Sequence, residues 1–234
     1  MPELNEFDQY VGDPVPGWAP REPAAAVTLS GRYVDLEPLA LVHAAELYAA
    51  LCDDASRELW TYRPTDPPAD VAGMQALIGA TLAAPGLETM VLRPGGGPAA
   101  GIASLTRIDP ATGQAEVAGV LYARTLQRTR AATEAIHLLA RHLFETLGYR
   151  RFEWKCDSLN EPSRRAAARL GFVYEGRFRN HMVTKGRNRD TDWFSITDAE
   201  WPAVRAAHEK WLDPANFDDD GRQRSSLSDL VGGL

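Results

Sequence analysis

Apolar and polar positions alternate along "GRYVDLEPL", which predicts a first strand from about Gly31 to Glu37. The period then lengthens. Leu41, Ala44, Leu47 and Leu51 share one helical stripe, and "DVAGMQALIGATLAA" predicts a second helix. The strands "ETMVL" and "AAGIASLTRID" are joined by "RPGGGP", and "DPATGQ" turns the chain into a further strand, "AEVAGVLY". Ile136, Leu139, Ala140, Leu143 and Leu147 mark a long helix stopped by Gly148. "RFEWKC" reads as a strand and "EPSRRAAARL" as a short helix ended by Gly171. "FVYEGRFRNHMV" and "DTDWFSIT" read as a hairpin, and "AEWPAVRAAHEKWL" as a last helix. Strands followed by helices, closed by a hairpin, predict a mixed α/β sheet protein. There is no internal repeat.

The flanks read differently. Residues 1–28 contain "VGDPVPGWAPREPAAA", whose prolines favour an extended arm over a helix. Trp18 is expected to pin that arm to the body or to a second subunit, the latter giving a homodimer through the arm as one of the two expectations. Residues 213–234 are polar and acidic and are expected to form a low-order tail. That leaves 29–212 as one domain, a size that buries a full core.

Composition narrows the function classes. The net charge of −7 argues against a nucleic-acid partner. Cys52 and Cys156 are too few and too far apart for a disulfide framework or a zinc cluster, so a cytoplasmic location is expected. The polar, acidic start gives no sign of a signal peptide, and no apolar run reaches the roughly 20 residues of a membrane helix. His137 and His142 lie five apart on one helix and offer no metal spacing, so no metal is expected. "GGGPAAG" loosely imitates a dinucleotide fingerprint, but a strand follows it where a helix is required, so it reads as a turn.

The candidate chemistry starts at "LYARTLQRTRAATEA", residues 121–135. A strand ends, Arg124, Arg128 and Arg130 follow, and a helix begins. A helix N-terminus presents unpaired N–H groups and the positive end of the dipole, which suits a phosphate. The arginines add charge-assisted donors. The loop has no glycine, and the same run also suits a solvated basic helix start. Close approach of the backbone, not a positive φ, is taken as what such a loop needs.

Together with "DSLNEPSRRAAARLGFVYEG" downstream, this stretch resembles the GNAT superfamily of acyl-CoA-dependent N-acetyltransferases, in its RimJ/RimL-type branch. Gln127, Ala132, Thr133, Glu134 and Ala135 match the phosphate-loop pattern, and Arg130 stands where a glycine is usual. Asn160, Ser163, Leu170, Gly171, Phe172, Glu175 and Gly176 match the later motif in order. The likeness covers about Val27 to Asp198 and leaves out arm and tail.

The resemblance implies a central, mostly antiparallel twisted sheet flanked by helices and splayed at an acyl-CoA site. It implies acetyl-CoA as cosubstrate and transfer of acetyl to a primary amine, of a protein N-terminus or a small molecule, by direct attack on the thioester. The cofactor contacts it implies are Val120, Leu121 and Tyr122 as the strand wall, residues Gln127, Arg128, Thr129, Arg130, Ala131, Ala132 and Thr133 in the loop, and Asn160 and Ser163. The tyrosine that often protonates the departing thiolate is replaced by Ala167, which leaves Ser163 as the donor. Helix-start roles for Asn160 and Ser163 stay open beside these. Glu116 is the first candidate for the base, Asp190 the second and His181 a third. A non-catalytic acyl-CoA sensor on the same fold is the alternative function.

Overall fold

The computed structural model describes residues 3–233; Met1, Pro2 and Leu234 lie outside it. The arm begins with a hairpin of β1 (Glu3–Leu4) and β2 (Tyr10–Val11) and then runs extended. Trp18 fixes the arm to the body. Its indole donates to the Ala111 carbonyl at 2.9 Å and lies under the Arg21 and Arg150 guanidinium groups.

The body continues with β3 (Leu29–Ser30), β4 (Val34–Pro38), α1 (Ala44–Leu51), α2 (Val71–Ala83), β5 (Glu88–Pro94), β6 (Gly101–Asp109) and β7 (Gln114–Tyr122). It closes with α3 (Arg130–Arg141), β8 (Arg151–Asp157), α4 (Glu161–Arg169), β9 (Val173–Thr184), β10 (Arg187–Thr197), α5 (Trp201–Leu212) and α6 (Leu227–Val231). Local chemistry starts the helices where it should. Asp70, Thr129, Asn160 and Ser226 each accept an N–H from the first turn of α2, α3, α4 and α6.

Eight strands form one sheet in the order β3-β4-β5-β6-β7-β8-β10-β9. Every neighbouring pair is antiparallel except β7–β8. Cross-strand register sorts the side chains by face. Ile102, Ser104 and Thr106 pair with Leu121, Ala118 and Glu116, under α1 and α2. Phe152 and Trp154 point to the opposite face, where Phe172 and α4 pack on them. This is the mixed, mostly antiparallel sheet flanked by helices that the sequence predicts.

Three expectations are corrected. The strand expected from Gly31 begins only at Val34, because residues 31–33 form a turn after the short β3. The Glu134 carboxylate, buried in α3, accepts the N–H groups of Arg32, Tyr33 and Val34 at 2.9, 2.6 and 3.0 Å and holds those residues as a turn. The long helix keeps α geometry only to Arg141 and ends in a π turn, His142–Thr146. The segment after Leu212, expected to have low order, folds back. Trp211 meets Phe217 edge-on, Asn216 bonds to the Trp211 and Ser225 carbonyls, and Leu227 is buried in the core. These few apolar residues within an acidic stretch supply the packing that its composition hides.

Candidate active site

β7 and β8 pair only from Gln114↔Arg151 to Val117↔Trp154. Beyond that, β7 stays on β6 as far as Tyr122, and β8 stays on β10 as far as Asp157. Each strand is then held on its outer side alone, so a V-shaped gap opens between residues 118–122 and 155–157. A bulge prepares the gap. From Ser104↔Ala118 to Ile102↔Leu121, β7 uses one residue more than β6, and Gly119 sits there at φ 62°. A Cβ at Gly119 would lie 3.2 Å from the Ser104 hydroxyl. Val120, Leu121 and Tyr122 form the β7 wall of the gap. Leu121 is buried under α1 and α2. The Tyr122 hydroxyl is buried without a partner among the described residues, and burial pushes its pKa up.

At the open end of the V, residues 123–129 lead into α3. The Ala123 carbonyl accepts both the Leu126 and Gln127 amides, at 2.9 and 3.1 Å. The chain reverses so tightly there that Arg128 takes φ 61°, which corrects the expectation that the loop needs no positive φ. Thr129 accepts the Ala132 amide through its hydroxyl, at 3.2 Å. The amides of Arg128, Arg130 and Ala131 have no acceptor among the described residues. Three N–H groups at a helix start are therefore available to an anion.

The side chains of this loop divide. Gln127 donates to the Tyr122 carbonyl at 3.0 Å and braces the wall. Ala131 and Ala132 are buried, and the Thr133 hydroxyl accepts from Arg169 at 2.6 Å, so these three face the core. Arg124 pairs with Glu58 at 2.8 Å. Arg130 turns back over the rings of Tyr33 and Phe217, 4.8 and 4.5 Å from their centroids. Arg128 is exposed and has no ion pair among the described residues.

Across the gap, Asn160 caps α4 by accepting the Ser163 amide at 3.2 Å. The Ser163 oxygen accepts from the Trp154 indole at 3.0 Å. Ala167 is buried one turn further on and offers no proton.

The sheet face under α1 and α2 carries a different set. Glu116 is 1% exposed and faces Glu153 across the last β7–β8 pairs. Lys155 reaches Glu116 at 2.9 Å, Arg107 lies within 3.7 Å of both carboxylates, and Arg151 holds Glu153 at 2.7 Å. Burial raises the Glu116 pKa, and the Lys155 ammonium opposes that rise. His181 bonds to the Thr191 hydroxyl at 3.0 Å and joins Phe178 and Trp193 in an aromatic row beside Lys155. Asp190 is elsewhere. It accepts the Asn180 amide and the Asn188 side chain inside the hairpin, and the first of these lowers its pKa.

The resemblance implies a sheet splayed ahead of a phosphate loop, and here β7 parts from β8 next to the start of α3 with its free amides. The sequence model of the acetyltransferase (GNAT) domain matches residues 34–173, well over half of the chain. The chain belongs to the GNAT acetyltransferase family. A GCN5-related N-acetyltransferase from Brucella melitensis superposes with a TM-score of 0.90 at 41% identity, covering 93% of this chain and all of that one. A protein described as a probable GNAT-family acetyltransferase from Chromobacterium violaceum ATCC 12472 gives 0.77 at 36% identity, covering 82% and 97%. The provisionally named ribosomal N-acetyltransferase YdaF of Bacillus subtilis (strain 168) is 30% identical over 101 residues, 43% of this chain. That match spans 55%, about half, of YdaF.

Several residues of the candidate site escape a reading of the sequence. Trp154, which holds Ser163, reads only as an apolar strand position. Lys155 and Arg107, which flank Glu116, carry no spacing signal, because two of the three groups come from neighbouring strands. Gly119 was legible as a glycine inside a strand, a usual mark of a bulge.

Proposed function

We propose that the protein is an N-acetyltransferase that moves an acetyl group from acetyl-CoA to a primary amine, with the splay of β7 from β8 as the observation that carries this reading. Backbone polar groups that leave a ladder inside a sheet need a partner, and an extended amide-bearing arm supplies one. The amides of Arg128, Arg130 and Ala131 suit the pyrophosphate, with Arg128 as the exposed cation beside them. Val120, Leu121, Tyr122 and Asn160 complete the binding set, and Gln127 and Thr129 hold its shape. No metal is used.

Acetyl-CoA supplies an activated thioester when bound. The protein has three tasks toward it. The backbone around the Gly119 bulge provides fixed donors where negative charge develops. Ser163 accepts from the Trp154 indole and bonds to the Cys156 thiol, and in the reaction its proton turns to the departing sulfur. Glu116, whose proton affinity burial raises, takes the proton of the amine, with Lys155 and Arg107 keeping it ionised beforehand. His181 borders the acceptor side.

The test is thiol release from acetyl-CoA with a panel of amines: free amino acids, short peptides with an open N-terminus, and polyamines. Acetylation of at least one class, abolished by blocking its amine, supports the reading. Binding of acetyl-CoA without turnover of any amine would leave the non-catalytic sensor as the function.

A further inference from the structure

Trp18 holds the inner part of the N-terminal arm, and among the described residues the outer part, 3–17, packs little on its own body. Residues 3–17 are almost wholly exposed, with Phe7 at 71% and Tyr10 at 78%. The arm hairpin is held by its own turn, where the Asn5 carboxamide accepts the Phe7 and Gln9 amides. A lone two-stranded hairpin is at best marginal in water. Its charges are all acidic: Glu3, Glu6, Asp8 and Asp13 precede the first cation, Arg21.

A second surface is equally unfinished. β9 is the long outer strand of the sheet and pairs on one side only, with β10. Its 12 residues leave Val173, Tyr174, Phe178, Met182 and Val183 exposed, Phe178 at 54% and Val183 at 78%. An open edge this long and apolar invites another strand. The hairpin carries an excess of cations where the arm is acidic: Arg177, Arg179, Lys185, Arg187 and Arg189 stand against Glu175, Asp190 and Asp192 between 173 and 192. Among the described residues, Arg179 and Arg187 have no ion pair, and neither do Glu3, Glu6 and Asp8.

We propose that these surfaces complete each other between two copies of the chain: each arm crosses the dimer axis and lies along the partner's β9 edge. The two patches match in apolar character and oppose in charge, as an exchanged arm requires. Fifteen arm residues and the 12 of β9 on each chain fall within the roughly 20–30 residues a side of a standard interface. The partner's arm then borders Phe178 and His181, on the acceptor side of the sheet.

The test is sedimentation of the full chain. The wild type should run at twice 25.7 kDa. E6K/D8K in the arm and R179E/R187E on the hairpin should each raise the dimer dissociation constant about tenfold or more. A mixture of the two variants should regain a dimer, because one of its arm contacts is then wild type and the other has both charges reversed. A wild type that stays monomeric at micromolar concentrations overturns the proposal. So do variants that dimerise like the wild type, and variants that the mixture fails to rescue, the result expected if the arm folds onto its own chain. Circular dichroism of each variant keeps loss of fold separate from loss of assembly.

Discussion

Arg130 stands where the family places a glycine, and its side chain decides what that departure means. The guanidinium stacks over Tyr33 and Phe217, away from the free amides. It therefore joins α3 to the β3–β4 turn and to the segment after α5. Arg130→Gly should change the KM for acetyl-CoA less than about threefold, while stability falls by about 1–2 kcal/mol from the lost cation–π contacts and the added backbone freedom. Steady-state kinetics and chemical denaturation together check this; a large rise in KM would mean that the side chain swings over the phosphate. Ser163 makes the opposite prediction. A proton given to a departing thiolate counts in the transition state, so Ser163→Ala should lower kcat on the order of 10²-fold and leave KM within about threefold. Equal stability loss with unchanged kcat would reduce Ser163 to a helix-start residue that holds Trp154.

At the scale of elements, α3 and α5 meet through two buried histidines. The rings of His137 and His208 lie 5.6 Å apart, beside Trp201. Burial lowers both pKa values, to about 4 for His137 and about 3 for His208. The unfolded chain binds a proton at each near pH 6.5, while the folded protein does not. Their folded-state pKa values are depressed, so the stability they leave intact at pH 7 is lost as pH falls from about 6.5 toward 4. Each histidine accounts for about 2 kcal/mol between pH 7 and 5. His137→Phe should flatten the fall of Tm over that interval; an unchanged slope would mean that the ring is solvated.

The same elements mark what a sequence makes legible. Period and punctuation located most of the strands and helices, because Gly148 and Gly171 end helices and the caps begin them. The turn at residues 31–33 was hidden, because its cause, Glu134, lies a hundred residues away in α3. The loop position and the α4 start were readable as motifs, yet the direction of Arg130 and the left-handed Arg128 depend on Tyr33, Phe217 and the Ala123 carbonyl. Charge runs show where cations are, not which of them are already engaged.

At the scale of the molecule, the sheet is continuous except where β7 and β8 part, and the rest of the fold holds that opening. α1 and α2 cover one face, and α3, α4 and α5 cover the other. The acidic C-terminal segment belongs to this frame through Leu227, which is 1% exposed and sits on the α5 side of the core. Leu227→Ala should destabilise the protein by about 2–4 kcal/mol in denaturant titration; a loss below about 0.5 kcal/mol would mean that α6 does not pack in solution. The central claim is that the gap and the α3 start together hold acetyl-CoA. Titration calorimetry with a chelator present tests it most directly, on the wild type and on Ala131→Pro. Proline is tolerated in the first turn of a helix but deletes one of the three free amides. The account predicts saturable binding at one site per chain, weakened about tenfold or more in the variant. Absence of binding, or equal affinity in both proteins, would contradict it.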